Sequence, residues 1–190
     1  MVEVYAIRKI EDEDFTKLKD RLQSQLPVSS QQKINKYKNL RDLQRSLLGE
    51  VIVRRTLSEK ILIPTNEIII KKSAKGKPYL VDSKKHYFNI SHSGDWVVVA
   101  FADEEIGIDV ELIRKINYQI ARRFYSAAEF AELDKKEGQE KRDFFFDLWT
   151  LKESYLKLLG KGLTKSLSSF SIHGSDSEFR LRDGKFEINS

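Results

Sequence analysis

Apolar and polar positions alternate from Val2 to Ile10, which predicts a strand. Asp12 to Leu26 is charged and reads as a helix. Ser29 or Ser30 stands where an N-cap belongs, ahead of a long helix running to about Glu59. Its apolar positions Ile34, Tyr37, Leu40, Leu47, Val51 and Ile52 mostly recur three or four apart or at multiples of a turn, so one face is predicted to meet a core. Short strands are predicted over Glu67–Lys72, Tyr79–Val81, His86–Ser91, Asp95–Phe101 and Ile106–Glu111, with Ser93-Gly94-Asp95 as a turn. A second run of elements then begins. Tyr118–Phe124 is helical in pattern, Ser126-Ala127-Ala128-Glu129 matches a capping box, and Gln139–Leu159 is a helix stopped by Gly160. Phe170–Ile172, Glu178–Arg182 and Lys185–Ile188 read as strands, the last two joined by the hairpin signal Asp183-Gly184. Each half therefore offers helices followed by strands. An α+β fold of two related lobes is expected, 1–112 and 113–190, with the boundary near 112–117.

The chain has 190 residues, 40% of them hydrophobic and 11% aromatic, enough to build a real core. Lys and Arg number 34 against 29 Asp and Glu, a net charge of +5. That balance suits polyphosphates, acidic proteins or nucleic acid, and does not choose among them. The absence of cysteine removes disulfides, a thiol nucleophile and thiolate metal sites. His86, His92 and His173 lack zinc-ligand spacing. The N-terminus lacks a signal-peptide pattern, and the longest apolar run, Trp96–Ala102, is too short to span a bilayer. A cytoplasmic, membrane-free protein is expected.

Within Gly107-Ile108-Asp109-Val110-Glu111, the period of two places Asp109 and Glu111 on one face. Glu153 comes from a largely apolar helical stretch. Two carboxylates from an extended segment and one from a helix make a hard oxygen donor set suited to Mg²⁺, which commonly completes its shell with substrate phosphates and water. Each residue also has an ordinary reading. Asp109 and Glu111 could be the solvent face of an edge strand. Glu153 could pair with Lys157 one turn on, and Glu129 could simply close the capping box.

The order and wording of six stretches bear on that choice. They are Gly76-Lys77-Pro78, Phe88-Asn89-Ile90-Ser91-His92-Ser93, Gly107–Glu111, Phe124–Glu129, Trp149-Thr150-Leu151-Lys152-Glu153-Ser154, and Lys157 with Gly160-Lys161-Gly162-Leu163. Together with Arg45-Ser46-Leu47-Leu48-Gly49, they resemble a 4′-phosphopantetheinyl transferase of the surfactin-synthetase-activating (Sfp-like) branch, over about residues 30–172. The resemblance implies two similar α+β lobes about a pseudo-twofold axis, with coenzyme A between them. It implies a transferase that moves the phosphopantetheine arm of coenzyme A onto a serine of an acyl or peptidyl carrier protein, releasing adenosine 3′,5′-bisphosphate. Nonribosomal peptide synthesis and antibiotic biosynthesis are the associated settings, with a monomeric enzyme that binds neither nucleic acid nor membrane.

By the same resemblance, Asp109, Glu111 and Glu153 match Mg²⁺ ligands, and Lys157 matches a pyrophosphate contact. Ser46, Gly76, Lys77 and Pro78 match residues around adenine and ribose. Ser91 and His92 match contacts to the 3′-phosphate and pyrophosphate, and Lys33 and Arg45 match basic contacts near the 3′-phosphate. Lys152 is placed to assist the site or support Glu153. The serine proton goes to Glu153 or to water on the metal, with Glu129 as the second candidate base. The carrier is expected on the second lobe, at Phe124, Tyr125 and Leu163 rimmed by Arg122, Arg123, Lys161 and Lys165.

Two departures are visible. The family often carries two lysines at the start of the long helix; here the earlier position is Ser30, leaving Lys33, so weaker coenzyme A binding is expected. Members also usually continue past the hairpin that closes this sequence at Ser190, so a shorter second lobe with an open sheet edge is expected. The competing readings are another metal-dependent phosphotransferase or nuclease, and a non-catalytic coenzyme A or carrier-protein binder.

Overall fold

The computed structural model describes residues 1–160, 162–175, 178–184 and 186–189, with the backbone alone for 163, 175, 178 and 186–189. Lys161, Lys185, Ser190 and the side chain of Leu163 lie outside the described residues.

The first half opens with β1 (Val2–Arg8), followed by helices α1 (Asp12–Gln23), α2 (Val28–Ile34) and α3 (Leu40–Ile61). A small ribbon of β2 (Ile70–Lys72) and β3 (Pro78–Leu80) precedes β4 (Tyr87–Ser93) and β5 (Trp96–Ala102). The main sheet is antiparallel in the order β1-β5-β4. Val97 to Phe101 of the central strand are all buried, because both faces of the sheet are covered there. On one face Val53 and Leu57 of α3 pack with Phe88, Val99 and Phe101. Phe15, Leu26, Ile34, Leu43, Leu47 and Val51 form an adjoining cluster that fastens α1 and α2 to α3.

The expected single helix from Ser29 or Ser30 to Glu59 is two helices. The break falls at residues 35–39, where Asn39 adopts an extended backbone and its Oδ1 accepts from the amides of Arg41 (2.8 Å) and Asp42 (3.3 Å). An Asn side chain placed to satisfy the free amides of a first turn starts a new helix more effectively than it continues an old one. Ser29 and Ser30 consequently lie inside α2, behind Pro27 at its N-cap position.

The second half contains α4 (Ala121–Phe124), α5 (Ala127–Asp134) and α6 (Gly138–Leu159), then a three-stranded sheet of β6 (Ser171–Ser175), β7 (Glu178–Asp183) and β8 (Phe186–Asn189). The capping box at Ser126 and Glu129 is present. Gly160 ends α6 in the left-handed conformation, φ 59°, which glycine adopts without a Cβ penalty. Tyr125, Phe145, Phe146, Leu148, Leu156 and Phe170 form the core, with Trp149 stacked on Phe145. Each lobe thus sets one 22-residue helix, α3 or α6, with a three-stranded antiparallel sheet in a mixed α+β architecture.

Candidate active site

Strand β4 presents different chemistry on its two faces. Phe88, Ile90 and His92 face α3 and line a cleft of about 620 Å³. Asn89, Ser91 and Ser93 point the other way, as the period of two requires. Against this polar face lies the segment Gly107–Leu112. It was expected to be a strand, but it has no regular secondary structure. The reason lies in where its amides go. Ile108 N donates to Asn89 Oδ1 (3.0 Å), Val110 N to Ser91 Oγ (3.3 Å) and Leu112 N to Ser93 Oγ (3.0 Å). Three side chains of β4 take the amides that a backbone ladder would otherwise use. The segment is extended alongside β4 without pairing to it.

This arrangement also fixes the acidic residues. Ser91 Oγ donates to Asp109 Oδ1 (2.8 Å), and Ser93 Oγ donates to Glu111 Oε2 (3.0 Å). Helix α6 closes over the other side. Gly107 lies so near it that an added Cβ would come 2.0 Å from the Ser154 carbonyl oxygen and 2.5 Å from the Leu158 nitrogen. Only a glycine permits that approach. It brings Glu153 and Lys157 of α6 to Asp109.

Lys157 Nζ donates to Asp109 Oδ1 (2.6 Å) and to Ser91 Oγ (2.7 Å). The Asp109 side chain is 5% exposed, and its Oδ2 is buried with no hydrogen-bond partner among the described residues. Loss of hydration raises the pKa of Glu153, and the negative charges of Asp109 and Glu111 add to the rise, while Lys157 opposes it. The three carboxylates therefore share one electrostatic field. They are not drawn into a closed cage: among the described residues, no group of three or more His, Cys, Asp or Glu is gathered tightly enough to hold a metal ion. The Lys157 ammonium supplies the countercharge at Asp109 in this arrangement.

The cleft on the opposite face of β4 gathers Lys33, Arg45, Ser46, Gly76, Pro78 and His92 from four separate stretches of sequence. Its lining also carries Lys72 and Arg54, and against them Asp42 and Glu50, none of which was anticipated. All of the lining residues lie between positions 29 and 92, so this cleft is built by the first lobe. Lys77 turns aside. Its ammonium contacts Glu105 and donates to the Leu158 carbonyl (2.9 Å), tying the two lobes together beside the cleft. Arg45 spends its Nε and Nη2 on the Gly94 carbonyl, bracing the β4–β5 turn. Glu50 receives Ser30 Oγ and Arg54 Nε (3.1 Å), and its other oxygen lies 3.9 Å from Lys33 Nζ. The His92 side chain is exposed to the cleft by area. Even so, limited hydration there, followed by the charge of Arg45 and a smaller push from Lys157, holds its pKa below the usual histidine value.

Glu129 and Lys152 are placed elsewhere. Lys152 Nζ donates to both Glu129 oxygens (2.6 and 2.7 Å) and to the Phe170 carbonyl (2.8 Å), with both side chains 1% exposed. Glu129 also receives the amides of Ser126 and Ile172, each at 2.7 Å. Burial lowers the Lys152 pKa, and the Glu129 carboxylate works against that. Sequence reasoning offered Glu129 as a second base and Lys152 as a support for Glu153. The structure instead makes them a buried tie between α5, α6 and β6, with every carboxylate oxygen engaged. On the expected carrier-docking surface, Arg122 and Arg123 cover the rings of Phe130 and Phe124, and Lys165 is bound to Asp183 (2.8 Å).

Comparison with known proteins bears on this geometry. Residues 13–104 match the family model described as the N-terminal part of 4′-phosphopantetheinyl transferase, and residues 105–188 match that of the 4′-phosphopantetheinyl transferase superfamily. The 4′-phosphopantetheinyl transferase psf-1 of Bacillus pumilus is 36% identical over 177 residues, covering 92% of this chain and 76% of that protein. The chain belongs to the 4′-phosphopantetheinyl transferase family. Sfp of Bacillus subtilis (strain 168) is 37% identical over 169 residues, 89% of this chain and 74% of its own length. The transferase gsp of Aneurinibacillus migulanus is 42% identical over 151 residues, 80% of this chain and 63% of its own. The transferase reading of the sequence is thus met in family and fold. Among the described residues, no helix of this transferase is long and apolar enough to cross a membrane.

Proposed function

We propose that this transferase moves the 4′-phosphopantetheine group of coenzyme A to a serine of an acyl or peptidyl carrier protein, and that Asp109, Glu111 and Glu153 are the residues that would hold Mg²⁺. The observation that carries the reading is the buried Asp109 Oδ2, which has no hydrogen-bond partner among the described residues, inside a field shared with Glu111 and Glu153. Buried polar atoms are rarely left unpaired, and an all-carboxylate donor set suits a hard divalent cation. When bound, Mg²⁺ supplies charge neutralisation at the pyrophosphate.

The chain's own residues do the rest. Lys33, Ser46, Gly76, Pro78 and His92 hold the adenosine bisphosphate end in the first-lobe cleft. Arg45 lines the same cleft, Lys77 stands beside it, and Lys157, held at Ser91 and Asp109 on the other face of β4, reaches the pyrophosphate. The carrier serine oxygen attacks the pantetheine-side phosphorus. The phosphoanhydride bond breaks, and adenosine 3′,5′-bisphosphate leaves with the electron pair. Glu153 takes the serine proton. Catalysis of this kind is mostly positioning and charge stabilisation. The cytoplasm and assembly-line synthesis of nonribosomal peptides are the settings this reading favours.

Mass spectrometry of an apo carrier protein incubated with the enzyme, coenzyme A and Mg²⁺ tests it. A gain of one phosphopantetheine, abolished by a chelator, is expected. Coenzyme A binding without that gain would instead indicate a non-catalytic binding protein.

A further inference from the structure

We propose that Ser93 is a positioning residue for the metal site, acting through Glu111. The inference rests on the function proposed above. A serine hydroxyl has one hydrogen to give and two lone pairs to accept with. At Ser93 one lone pair is engaged by the Leu112 amide at 3.0 Å, which orients the oxygen. The single hydrogen is directed to Glu111 Oε2 at 3.0 Å. One hydroxyl therefore fixes both the backbone just after Glu111 and the rotation of its carboxylate.

Ser91 makes the same pair of contacts two residues earlier, to Val110 N and Asp109 Oδ1, and additionally accepts from Lys157. Repetition at a spacing of two on both stretches, β4 and the segment from Asp109 to Leu112, is what distinguishes a template from a chance contact. With Asn89 at its far end, the polar face of β4 sets the pitch at which successive carboxylates are presented.

Further contacts hold the Ser93 end of this template. Gly94, at φ +56°, lies under Leu112, where an added Cβ would come 3.3 Å from Leu112 Cδ1. Arg45 grips the carbonyl of that same glycine. Long glutamate side chains lose considerable rotamer freedom when fixed. A carboxylate already aimed by Ser93 loses less of it on binding a cation, and outer partners of this kind commonly change metal affinity 10–100-fold.

The test is direct binding of Mn²⁺, followed by its paramagnetic resonance signal, to the wild-type protein and to Ser93→Ala, Ser93→Cys and Ser93→Thr, with thermal unfolding of each. We expect Ser93→Ala to weaken Mn²⁺ binding about 10-fold. Ser93→Cys, close in volume but a weak donor, should show an intermediate loss, and Ser93→Thr should recover most of the affinity. In a Glu111→Ala background, Ser93→Ala should cause no further loss, because its effect passes through that carboxylate. Equal Mn²⁺ affinity of wild type and both the Ala and Cys variants would overturn the inference while leaving the metal reading intact. So would a loss that persists undiminished without Glu111. Failure of the wild-type protein to bind Mn²⁺ at all would overturn the metal reading itself, and the inference with it.

Discussion

The ammonium of Lys157 lies 2.6 Å from Asp109 Oδ1 and joins the two lobes through a charge pair with only 5% of the aspartate side chain exposed. Lys157 lies in α6, and Asp109 in the segment laid against β4. The pair neutralises a carboxylate that the proposed chemistry requires for a cation, so Lys157 should compete with metal until the coenzyme A pyrophosphate draws it away. Lys157→Ala should therefore bind Mn²⁺ several-fold more tightly than wild type in the absence of coenzyme A, since an unpaired buried carboxylate gains more from a cation. Transfer should nonetheless fall by about 10²-fold or more, the scale of losing one charged contact to a developing oxyanion. Metal titration and steady-state transfer on the same preparations separate the two effects.

Gly107 offers a second test. Its contacts with the backbone of Ser154 and Leu158 leave no room for even one methyl group. Because the obstacle is main chain and not a flexible side-chain end, the helix itself must move. Gly107→Ala should destabilise the protein by about 1–3 kcal/mol, the usual cost of overpacking. It should also lower transfer by more than the loss of folded protein explains, because Glu153 moves with α6 away from Asp109. Denaturant unfolding beside the rate per folded molecule shows whether activity falls further than stability.

Much of this could be read from the sequence because the signals were local. The capping box at Ser126 and Glu129, the left-handed stop at Gly160 and the Asp183-Gly184 turn are set by neighbours along the chain, and the structure bears them out. The strand reading of Ile106–Glu111 failed for a non-local reason. Alternation fixes which residues share a face, but not whether amides pair with backbone or with side chains. Asn89, Ser91 and Ser93 decide that from another strand. Their own alternation of short polar side chains, set among Phe88, Ile90 and His92, was a usable signal. The break at Asn39 was likewise visible as an Asn ahead of a helical run, yet the apolar spacing on either side bridged it. Glu129 shows the opposite limit. A buried carboxylate in a recognised motif looks catalytic until its partners are seen, and those are an amide and an ammonium brought from 43 and 23 residues away.

Those partners give a third prediction. Glu129 and Lys152 are nearly sealed from solvent, so removing one charge strands the other. Lys152→Met should cost about 3–5 kcal/mol, the range for breaking a buried pair from one side. Adding Glu129→Gln to that variant should restore part of the loss, because a neutral amide costs less to bury than an uncompensated carboxylate. If Glu129 were the catalytic base, the double variant would be folded and dead. The structural role predicts that its folded fraction keeps substantial transfer activity. Thermal unfolding and transfer assays on both variants decide between the roles.

His92 gives the pH dependence. Its pKa in the folded protein lies below the ordinary 6.5, through limited hydration first and the charge of Arg45 second. The unfolded chain therefore holds the proton more tightly than the folded one. The stability contribution of neutral His92 is fully present above about pH 6.5 and is lost as pH falls from there through the folded pKa. An anion in the cleft reverses the preference, because a phosphate beside the ring favours imidazolium. Binding of adenosine 3′,5′-bisphosphate should thus take up a proton in the window just below pH 6.5, and its affinity should rise as pH falls through that window. Calorimetry in two buffers of different ionisation enthalpy measures the uptake, and His92→Gln should remove the imidazole's share of it, leaving the exchange that belongs to the ligand's own phosphates. The imidazole resonances should titrate below 6.5 in the free protein and shift upward with ligand. A histidine that titrates at 6.5 in both states would show that the cleft does not hold the phosphate at His92.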